Sequence, residues 1–385
     1  METFDNGDVI TWAVDLEEGA LKQARNAAAL PFVISPVAVM ADGHQGYGVP
    51  VGSVIATDGA ISVYAVGSDI GCGVIASRTS LTSSSLPDNL DGLHAEISYY
   101  IPAGLGQEHA NRQALAPKYE GPTELTTKQE NTINNQFGSL GSGNHFVEVC
   151  LDEEDRVWLM LHSGSRGIGK QIADIHLGIA SKFQEELPDP ELAFLVDGTK
   201  EFSNYISDML WAQDYAFKNR QRMMDLAYRS FHDFMGPPDR YLEITERINT
   251  HHNFAAKEIH NGKEVWITRK GAIKAALGDR GIIPGSMGTG SYITTGLGNS
   301  LSYNSTSHGA GRKMSRGKAR KAFTVEDLTA QMGGRSWNKK DAEKLLDEAP
   351  GSYKDIGEII AIQEQAGLLK VDHKLTAILN YKGVS

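Results

Sequence analysis

The amino-acid sequence predicts a protein that mixes helices and strands, and three observations support this prediction. The chain has 385 residues, of which 41% are hydrophobic and 22% charged, so it can bury a large core in one or two domains. Short apolar runs with β-branched residues end repeatedly in glycine-rich polar loops, which is typical of strands. Longer stretches free of Gly and Pro, such as residues 203–229, are typical of helices.

Composition argues against several classes of protein. The net charge of −11 argues against a surface that binds nucleic acid everywhere, although it leaves room for a local basic groove. No apolar run approaches the roughly 20 residues that a membrane-spanning helix needs. The chain contains two cysteines, Cys72 and Cys150, which cannot build a disulfide scaffold. We therefore expect reduced thiols, a cytoplasmic location and no membrane partner.

Local patterns predict the elements in the first third of the chain. We expect a helix over residues 17–29, a strand over 33–40, a hairpin over 49–66, and helices over 88–100 and 125–137. The strand Val33 to Met40 leads into a glycine-rich loop that carries Asp42 and His44, and the hairpin is indicated by Asp58-Gly59.

The remainder of the chain continues the mixture. We expect strands after the loop 138–143, over 157–161 and from Trp266, and helices after Arg166, over 203–229, after His252 and through most of the chain from Phe323. In the helix after Arg166, Ile168, Ile172, Ile175, Ile179 and Phe183 share one stripe that we assign to the core.

The stretch from Val66 to Gly73 is the first that carries chemistry. It places Asp69 and Cys72 three residues apart, with glycines on both sides of the cysteine. A carboxylate and a thiol on a tight loop are suitable metal ligands. The alternative is an ordinary turn in which Asp69 caps the backbone and Cys72 is a small buried residue.

Histidines in similar settings favour the metal site. His145 follows the glycine-rich loop 138–143, and His162 ends a short apolar strand. His251 and His252 are adjacent, so they cannot easily face one point, and we expect only one of them to be a ligand. Each histidine alone could equally be a hydrogen-bonded structural residue.

His308 has a different context. It is flanked by glycine and followed by a basic run that ends at Lys321, which is notable in an acidic chain and indicates contact with phosphates. The alternative is a solvated helix face.

Cys72, Asp69 and three histidines suffice for two metals if the thiolate bridges them, and a pair of metals stabilises phosphoryl transfer. Ligand type favours Zn²⁺, with Mn²⁺ allowed by Asp69, and the histidine that remains could be a nucleophile on phosphorus.

These motifs together resemble the RtcB family of 3′-phosphate RNA ligases. The resemblance runs in family order from about residue 35 to the C-terminus, and the region 80–135 matches weakly. Its motifs are Asp42 to Gly48, Asp69 to Gly73, Gly138 to Glu148, His162 to Gly167, His252-Asn253, Pro284 to Gly288 and His308 to Arg312.

The resemblance implies an α+β fold, with residues 1–385 forming one large RtcB-like domain whose mixed sheets surround a dinuclear metal site. It implies two Mn²⁺ ions, although Zn²⁺ or Co²⁺ could occupy a prepared sample. The residues that match the first metal's ligands are Asp69, Cys72 and His145, and those that match the second are Cys72, His162 and His252.

The resemblance also implies that GTP is a co-substrate and that His308 becomes guanylylated. GMP would pass to an RNA 3′-phosphate, formed by opening a 2′,3′-cyclic phosphate, and a 5′-hydroxyl end would then displace it, in RNA repair or tRNA splicing. Arg166, Arg312 and the basic run would hold the RNA, and an archease-type activator is a further partner that the family allows. The implied guanylate contacts are Asn144, His145, Phe146, Val147, Glu148, His252, Asn253, Pro284, Gly285, Ser286, Met287, Ser291, His308, Gly309, Ala310, Gly311 and Lys382.

Three other functions compete with this reading. A dinuclear phosphodiesterase or nuclease would need the metals but no covalent His308. A lysine-based nucleotidyltransferase would use Lys370-Val371-Asp372-His373, which lacks the final glycine of that motif and lies in a predicted helix. A non-catalytic RNA-binding module would bind RNA without Cys72 and would leave the ligand-type residues unexplained.

Overall fold

The computed structural model describes residues 1–184, 186–236 and 242–384. The helices in these ranges are α1 (Glu18–Ala28), α2 (Asp91–Tyr100), α3 (Thr127–Gln136), α4 (Arg166–Ala180), α5 (Lys200–Met235), α6 (Arg316–Ala322), α7 (Val325–Met332) and α8 (Ile356–Gln365). Short 3₁₀ segments also occur, the longest of which is Lys339–Glu348.

The strands are mostly antiparallel and short. They are β1 (Glu2–Phe4), β2 (Val9–Thr11), β3 (Val33–His44), β4 (Val51–Thr57), β5 (Ala60–Ser62), β6 (Gly73–Thr82), β7 (Phe146–Leu151), β8 (Arg156–Ser163), β9 (Phe194–Val196), β10 (Ile244–His251), β11 (Asn253–His260), β12 (Lys263–Lys270), β13 (Ala272–Lys274), β14 (Arg280–Pro284), β15 (Gly290–Gly296), β16 (Ser305–Ser307), β17 (Ser336–Trp337) and β18 (Leu369–Tyr381).

Two larger sheets organise the fold. One has six strands in the order β1-β2-β3-β4-β12-β11, and the other runs β10-β6-β8-β7-β18-β15-β14, with β17 paired to β18. The pairs β2–β3 and β17–β18 are parallel, so both sheets are mixed. This combination of mixed sheets with separate helices agrees with the expected α+β class.

The larger sheet is buried on both faces because its central strands alternate apolar residues toward each side. In β8, Leu159 and Leu161 pack toward α2 and α5, whereas Trp158 and Met160 belong to a separate cluster on the opposite face. The ends of β6, β7 and β8 therefore hold fixed positions, and the loops at these ends carry the functional side chains.

The long helix α5 supports the same loops from behind. The Thr199 side chain accepts a hydrogen bond from the backbone N–H of Phe202 and so caps its first turn. Within α5, Asn219 donates to the Gly164 carbonyl at 3.1 Å and accepts from the Gly138 N–H at 2.7 Å. Two site loops are therefore tied to one rigid element.

The structure confirms the helices predicted near residues 17–29, 88–100, 125–137 and 203–229, and it corrects four other expectations. The segment around Asp58-Gly59 is not a hairpin, because β5 pairs with β9 rather than with β4. No helix follows His252, which sits between two strands. Residues 370–373 lie in β18 rather than in a helix. Phe183 is 65% exposed and so leaves the core stripe that Ile168 and Ile172 form.

Candidate metal centre and active site

Cys72 lies at the centre of the candidate site. Its sulfur is 3.4 Å from His145 Nε2 and 3.3 Å from His162 Nε2, and the residue is only 3% exposed. The flanking glycines are required, because Gly71 has a positive φ and a Cβ at Gly73 would lie 1.9 Å from the Thr250 carbonyl oxygen. The glycine-rich loop before β6 thus brings the Cys72 thiol between His145, which directly precedes β7, and His162, which lies in β8.

Four imidazole rings form a row through this centre. The ring centroids of His145 and His162 are 5.0 Å apart, those of His162 and His252 are 5.0 Å apart, and those of His252 and His308 are 4.7 Å apart. His162 Nε2 and His252 Nε2 face each other at 2.8 Å. Two ring nitrogens at this distance can share one proton or bind a cation.

The other nitrogen of each central ring turns away from the cluster. His162 Nδ1 is 3.1 Å from the Asn144 carbonyl oxygen, and His252 Nδ1 is 3.2 Å from Asn253 Oδ1. Both partners are hydrogen-bond acceptors, so they favour a proton on Nδ1 and leave the Nε2 lone pair facing inward. This is the arrangement by which outer hydrogen bonds orient histidine ligands of a metal.

Asp69 completes the cluster at its His145 end. Its Oδ2 lies 3.2 Å from His145 Nε2, and its Oδ1 accepts from the Ser165 backbone N–H at 3.1 Å and the Ser165 hydroxyl at 3.3 Å. Burial alone would raise the pKa of Asp69, but the contacts with His145 and Cys72 outweigh it and hold the pKa below its usual value. Asp69 therefore places its negative charge at the N-terminus of α4, where the backbone N–H groups favour an anion.

Burial keeps His162, His252 and Cys72 neutral, which suits the two imidazoles as ligands and requires the thiol to release its proton when a cation binds. Burial lowers the pKa of His162 and of His252 well below the usual value, so both rings are neutral. Burial, with the neighbouring Asp69 charge, raises the pKa of the Cys72 thiol well above its usual value. Thiol, imidazole and carboxylate donors in one buried cluster fit a divalent transition metal, and Cys72, His145 and His162 offer ligand atoms that all lie within 4.8 Å of one another.

Arg220 on α5 holds three segments of the site together. This side chain is fully buried, and it donates to the Gly71 carbonyl at 2.7 Å, the Ser163 carbonyl at 3.0 Å and Asn249 Oδ1 at 2.7 Å. Its remaining nitrogen lies 3.1 Å from His251 Nδ1. Of the adjacent pair, His252 therefore joins the imidazole row while His251 faces the arginine, and a ligand role for only one of them stays a prediction.

His308 stands at the other end of the row, against Asp42. Asp42 is fully buried, and its Oδ2 accepts from the backbone N–H groups of His308 at 3.2 Å and Gly309 at 3.3 Å. The same oxygen is 2.7 Å from His308 Nδ1. The carboxylate therefore lies against the ring as a close ion-pair partner, although Nδ1 is not aligned with it as a hydrogen-bond donor. The sequence predicts a loop at Asp42 and His44, but β3 continues through both residues, and the approach of Asp42 to His308 is not predicted.

A cavity of about 360 Å³ opens over these groups. Most of the residues implied as guanylate contacts line it: Asn144, His145, Phe146, His252, Asn253, Pro284, Gly285, Ser286, Met287, His308, Gly309, Ala310, Gly311 and Lys382. Val147, Glu148 and Ser291 do not line it. Val147 packs in the core, and Ser291 accepts a long hydrogen bond from the Gly285 N–H at 3.4 Å.

The end of the cavity near Lys382 contains a buried charge network. Lys382 Nζ donates to the Gly143 carbonyl at 2.8 Å and lies 3.3 Å from Glu348 Oε2, which also accepts from the Tyr353 hydroxyl at 2.5 Å. Arg312 Nη1 is 3.3 Å from Glu348 Oε1. Glu348 and Tyr353 were not identified from the sequence, since neither belongs to a glycine-flanked motif.

Two groups expected to contact RNA have protein partners in this structure. Arg166 donates to Ser139 Oγ at 3.1 Å and to the Gln107 carbonyl at 3.2 Å, and it does not line the cavity. Arg320, within the basic run, lies 3.1 Å from Asp347. Arg316 lies 3.8 Å from Glu348, yet it lines the cavity with its side chain 49% exposed and can meet a ligand there.

Two other features lie apart from the cavity. Asp152, Glu153 and His373 form a second group of ligand-type residues, but both oxygens of Asp152 are already occupied by donors from Glu154, Arg156 and Trp158. Lys370 is exposed on β18 and does not line the cavity, which removes the geometric basis for Lys370 as the nucleophile.

A cluster of soft and hard metal ligands beside a carboxylate-held imidazole is the type of site that phosphoryl-transfer enzymes use. Comparison with known proteins gives the family. The model of the family described as tRNA-splicing ligase RtcB matches residues 23–124 and 116–383, and therefore covers the region 80–135 that had appeared weak. The chain belongs to the RtcB family.

Individual relatives agree with this assignment. The chain is 42% identical over 409 residues to RNA-splicing ligase RtcB1 of Escherichia coli, an alignment that covers 99% of this chain and 98% of the relative. It is 30% identical to tRNA-splicing ligase RtcB of Nanoarchaeum equitans, covering 95% and 92%, and 32% identical to that of Thermococcus kodakarensis, covering 91% and 88%. Within the described ranges, no helix has the length and apolar character needed to cross a membrane.

Proposed function

We propose that this chain is an RNA ligase that joins a 2′,3′-cyclic phosphate or 3′-phosphate end to a 5′-hydroxyl end through a guanylylated His308. The observation that carries the proposal is the environment of His308: Nδ1 lies 2.7 Å from Asp42, and the ring adjoins the Cys72 cluster. The names of the RtcB relatives support RNA ends as substrate, in RNA repair or tRNA splicing. Residues 1–385 would form one catalytic domain.

The metal ligands would be Asp69, Cys72, His145, His162 and His252, with Cys72 shared between two ions. The donor set suits Mn²⁺, as the family resemblance implies, and Zn²⁺ or Co²⁺ could replace it in a prepared sample. When bound, such ions neutralise the negative charge that builds up on phosphate oxygens during transfer.

The first step uses His308 as the nucleophile. Nε2 attacks the α-phosphorus of GTP, a P–N bond forms, and the bond to the pyrophosphate oxygen breaks. The ring gains positive charge in this step, and the nearby Asp42 carboxylate stabilises that charge through Nδ1. Asp42 thus acts on the reaction by orienting the ring and by compensating its charge.

The guanine would occupy the Lys382 end of the cavity. Lys382 is a buried donor whose Nζ holds the Gly143 carbonyl, and burial lowers its pKa. Phe146 and Tyr353 line the same cavity and offer apolar ring surface for a base. The loop Pro284 to Met287 and the residues Gly309 to Gly311 would bring backbone groups close to the guanylate phosphate.

The remaining steps transfer and release GMP. An oxygen of the RNA 3′-phosphate attacks the phosphorus, which breaks the P–N bond to His308 and forms an RNA-3′-pp-5′-G end. The 5′-hydroxyl of the second strand loses its proton and attacks the 3′-phosphorus, and GMP leaves. An archease-type activator and a cytoplasmic location remain predictions of the same proposal.

Labelling with α-³²P-GTP and Mn²⁺ tests the proposal. We expect a covalently labelled protein band that is stable to alkali, labile to acid and absent in His308→Ala, as a phosphoramidate requires. An acid-stable band would indicate a lysine adduct. No band from protein with intact metal content would favour the phosphodiesterase, and RNA binding that survives Cys72→Ala without any chemistry would favour a binding module.

A further inference from the structure

The mouth of the catalytic cavity carries an aromatic side chain that the mechanism above does not use. Tyr47 lines the cavity, yet 73% of its surface is exposed. Among the residues that the structure describes, its ring stacks on no other aromatic ring and packs against no cation. Single exposed aromatic residues are common on proteins, so exposure alone carries no argument.

The backbone beneath this ring is held firmly. Gln23 donates to the Gly46 carbonyl at 2.8 Å and accepts from the Gly46 N–H at 3.0 Å. The Tyr47 carbonyl accepts from the Val49 N–H at 2.8 Å and from the ammonium group of Lys270. Lys270 is only 8% exposed, so a buried charge is committed to this one loop. The exposure of the Tyr47 side chain is therefore not explained by a flexible loop.

The position of Tyr47 relates it to the reacting groups. It lies three positions after His44, a distance of at most about 11 Å along an extended chain. His44 Nδ1 lies 3.0 Å from the Asp42 carbonyl oxygen, and Asp42 also holds His308. Gly271, next to Lys270, lies against the His308 ring, because a Cβ there would be 3.1 Å from His308 Cε1. The Tyr47 ring therefore lines the same cavity as His308, on a segment that is linked to it through Asp42 and Lys270-Gly271.

We propose that Tyr47 is a stacking platform for the nucleobase at the RNA end being joined. The inference rests on the proposed function, because it assumes that an RNA end enters this cavity. A solvent-facing ring on a firmly held backbone suits a base of any identity, since each base has a π-face. The exposed Arg316, on the same cavity, can meet the adjacent phosphate. Tyr47 is a positioning residue for RNA and has no role in guanylylation.

Equilibrium binding of short RNA strands tests this proposal without requiring ligation. Fluorescence anisotropy would compare Tyr47→Ala, Tyr47→Phe and wild type with a 3′-phosphate strand and, separately, a 5′-hydroxyl strand. We expect Tyr47→Ala to weaken one of them by about 5- to 150-fold, the range for loss of one stacked base, and Tyr47→Phe to bind like wild type. The strand that is affected identifies the end that the platform serves.

A strand with an abasic terminal nucleotide supplies the specific control. Wild type should lose affinity for it by the same factor, and Tyr47→Ala should show no further loss, because the stacking partner is already gone. Tyr99→Ala removes a ring that is 79% exposed on α2, outside the cavity, and should leave binding unchanged. The proposal would be overturned if Tyr47→Ala weakened binding of the intact and the abasic strand by the same factor. It would also be overturned if Tyr47→Ala weakened binding of neither the 3′-phosphate strand nor the 5′-hydroxyl strand. Failure of the proposed function would appear instead in the His308 labelling experiment.

Discussion

Replacing Asp42 with asparagine removes a negative charge beside His308 while preserving the size of the side chain. The asparagine oxygen can still accept from the backbone N–H groups of His308 and Gly309, which the carboxylate holds at 3.2 and 3.3 Å. In the proposed mechanism the contact that changes is the one between Nδ1 and the carboxylate, 2.7 Å long, because the ring would become positive as Nε2 attacks. The variant therefore tests charge compensation rather than ring placement.

The size of the effect follows from this single contact. If Nδ1 aligns with the carboxylate as the ring becomes charged, the resulting hydrogen bond to a charged group contributes about 1.5–3 kcal/mol, and its loss from the transition state slows the reaction about 10- to 150-fold. Coulomb's law for full charges at 2.7 Å with an effective dielectric constant near 20 sets an upper bound of about 6 kcal/mol. Because the charge develops only on attack, kcat should fall while KM for GTP changes little.

Single-turnover labelling of Asp42→Asn with α-³²P-GTP measures this rate, normalised to folded protein. The chain offers a matched control in Asp208 and His176, a buried pair also 2.7 Å apart and outside the cavity. Asp208→Asn should cost stability, because Asp208 also accepts from Tyr119 and Thr123, yet leave the rate per folded molecule unchanged. A rate for Asp42→Asn within threefold of wild type would refute the role assigned to the carboxylate.

Three further perturbations test other parts of the site. Cys72→Ala should abolish metal-dependent activity and lower the metal content measured by elemental analysis; full activity would exclude a bridging thiolate. Lys382→Ala should raise KM for GTP by about 10-fold or more, the loss of one hydrogen bond to a charged donor, while sparing metal content; unchanged GTP dependence would count against the guanine contact. Burial raises the pKa of Glu148 to about 7 from a usual 4.5, so the folded protein retains a proton that the unfolded chain loses, and stability falls as pH rises through this window. In metal-free, GTP-free protein, urea unfolding should show Glu148→Gln gaining up to about 3 kcal/mol relative to wild type between pH 4 and pH 8; a difference independent of pH would contradict the burial argument.

The loops that carry candidate ligands were predictable because each combines a reactive side chain with glycines. That combination favours a functional site over an ordinary turn or a core position. What the sequence alone could not supply was their mutual placement. Asp42 and His308 are separated by 266 positions, and no local pattern indicates that their side chains meet. Arg220 has the appearance of an ordinary charge on a long helix, although it is fully buried beneath three site loops.

The errors in secondary structure have the same origin in long-range pairing. Strand β18 lies in a segment predicted to be helical, and its pairing with β7 and β15 includes register shifts between Ala377 and Leu379 and next to Ile293. Strand β5 was assigned to a hairpin although its partner β9 lies more than 130 positions later. In both cases the strand is stabilised by neighbours distant in sequence rather than by local propensity.

The dispersed origin of the Cys72 cluster links cation binding to the completeness of folding. Its ligand atoms come from Asp69 through His252, and they converge only when β6, β8 and β10 have paired. An unfolded chain offers no comparable set of donors, so a cation that binds here stabilises the native state by about 2.7 kcal/mol at 100 times its dissociation constant. Shifts in melting temperature across a series of divalent cations would therefore rank their affinities without RNA or GTP. Because binding requires these strands to be paired, the number of cations bound per chain would also measure the fraction of molecules that is correctly folded.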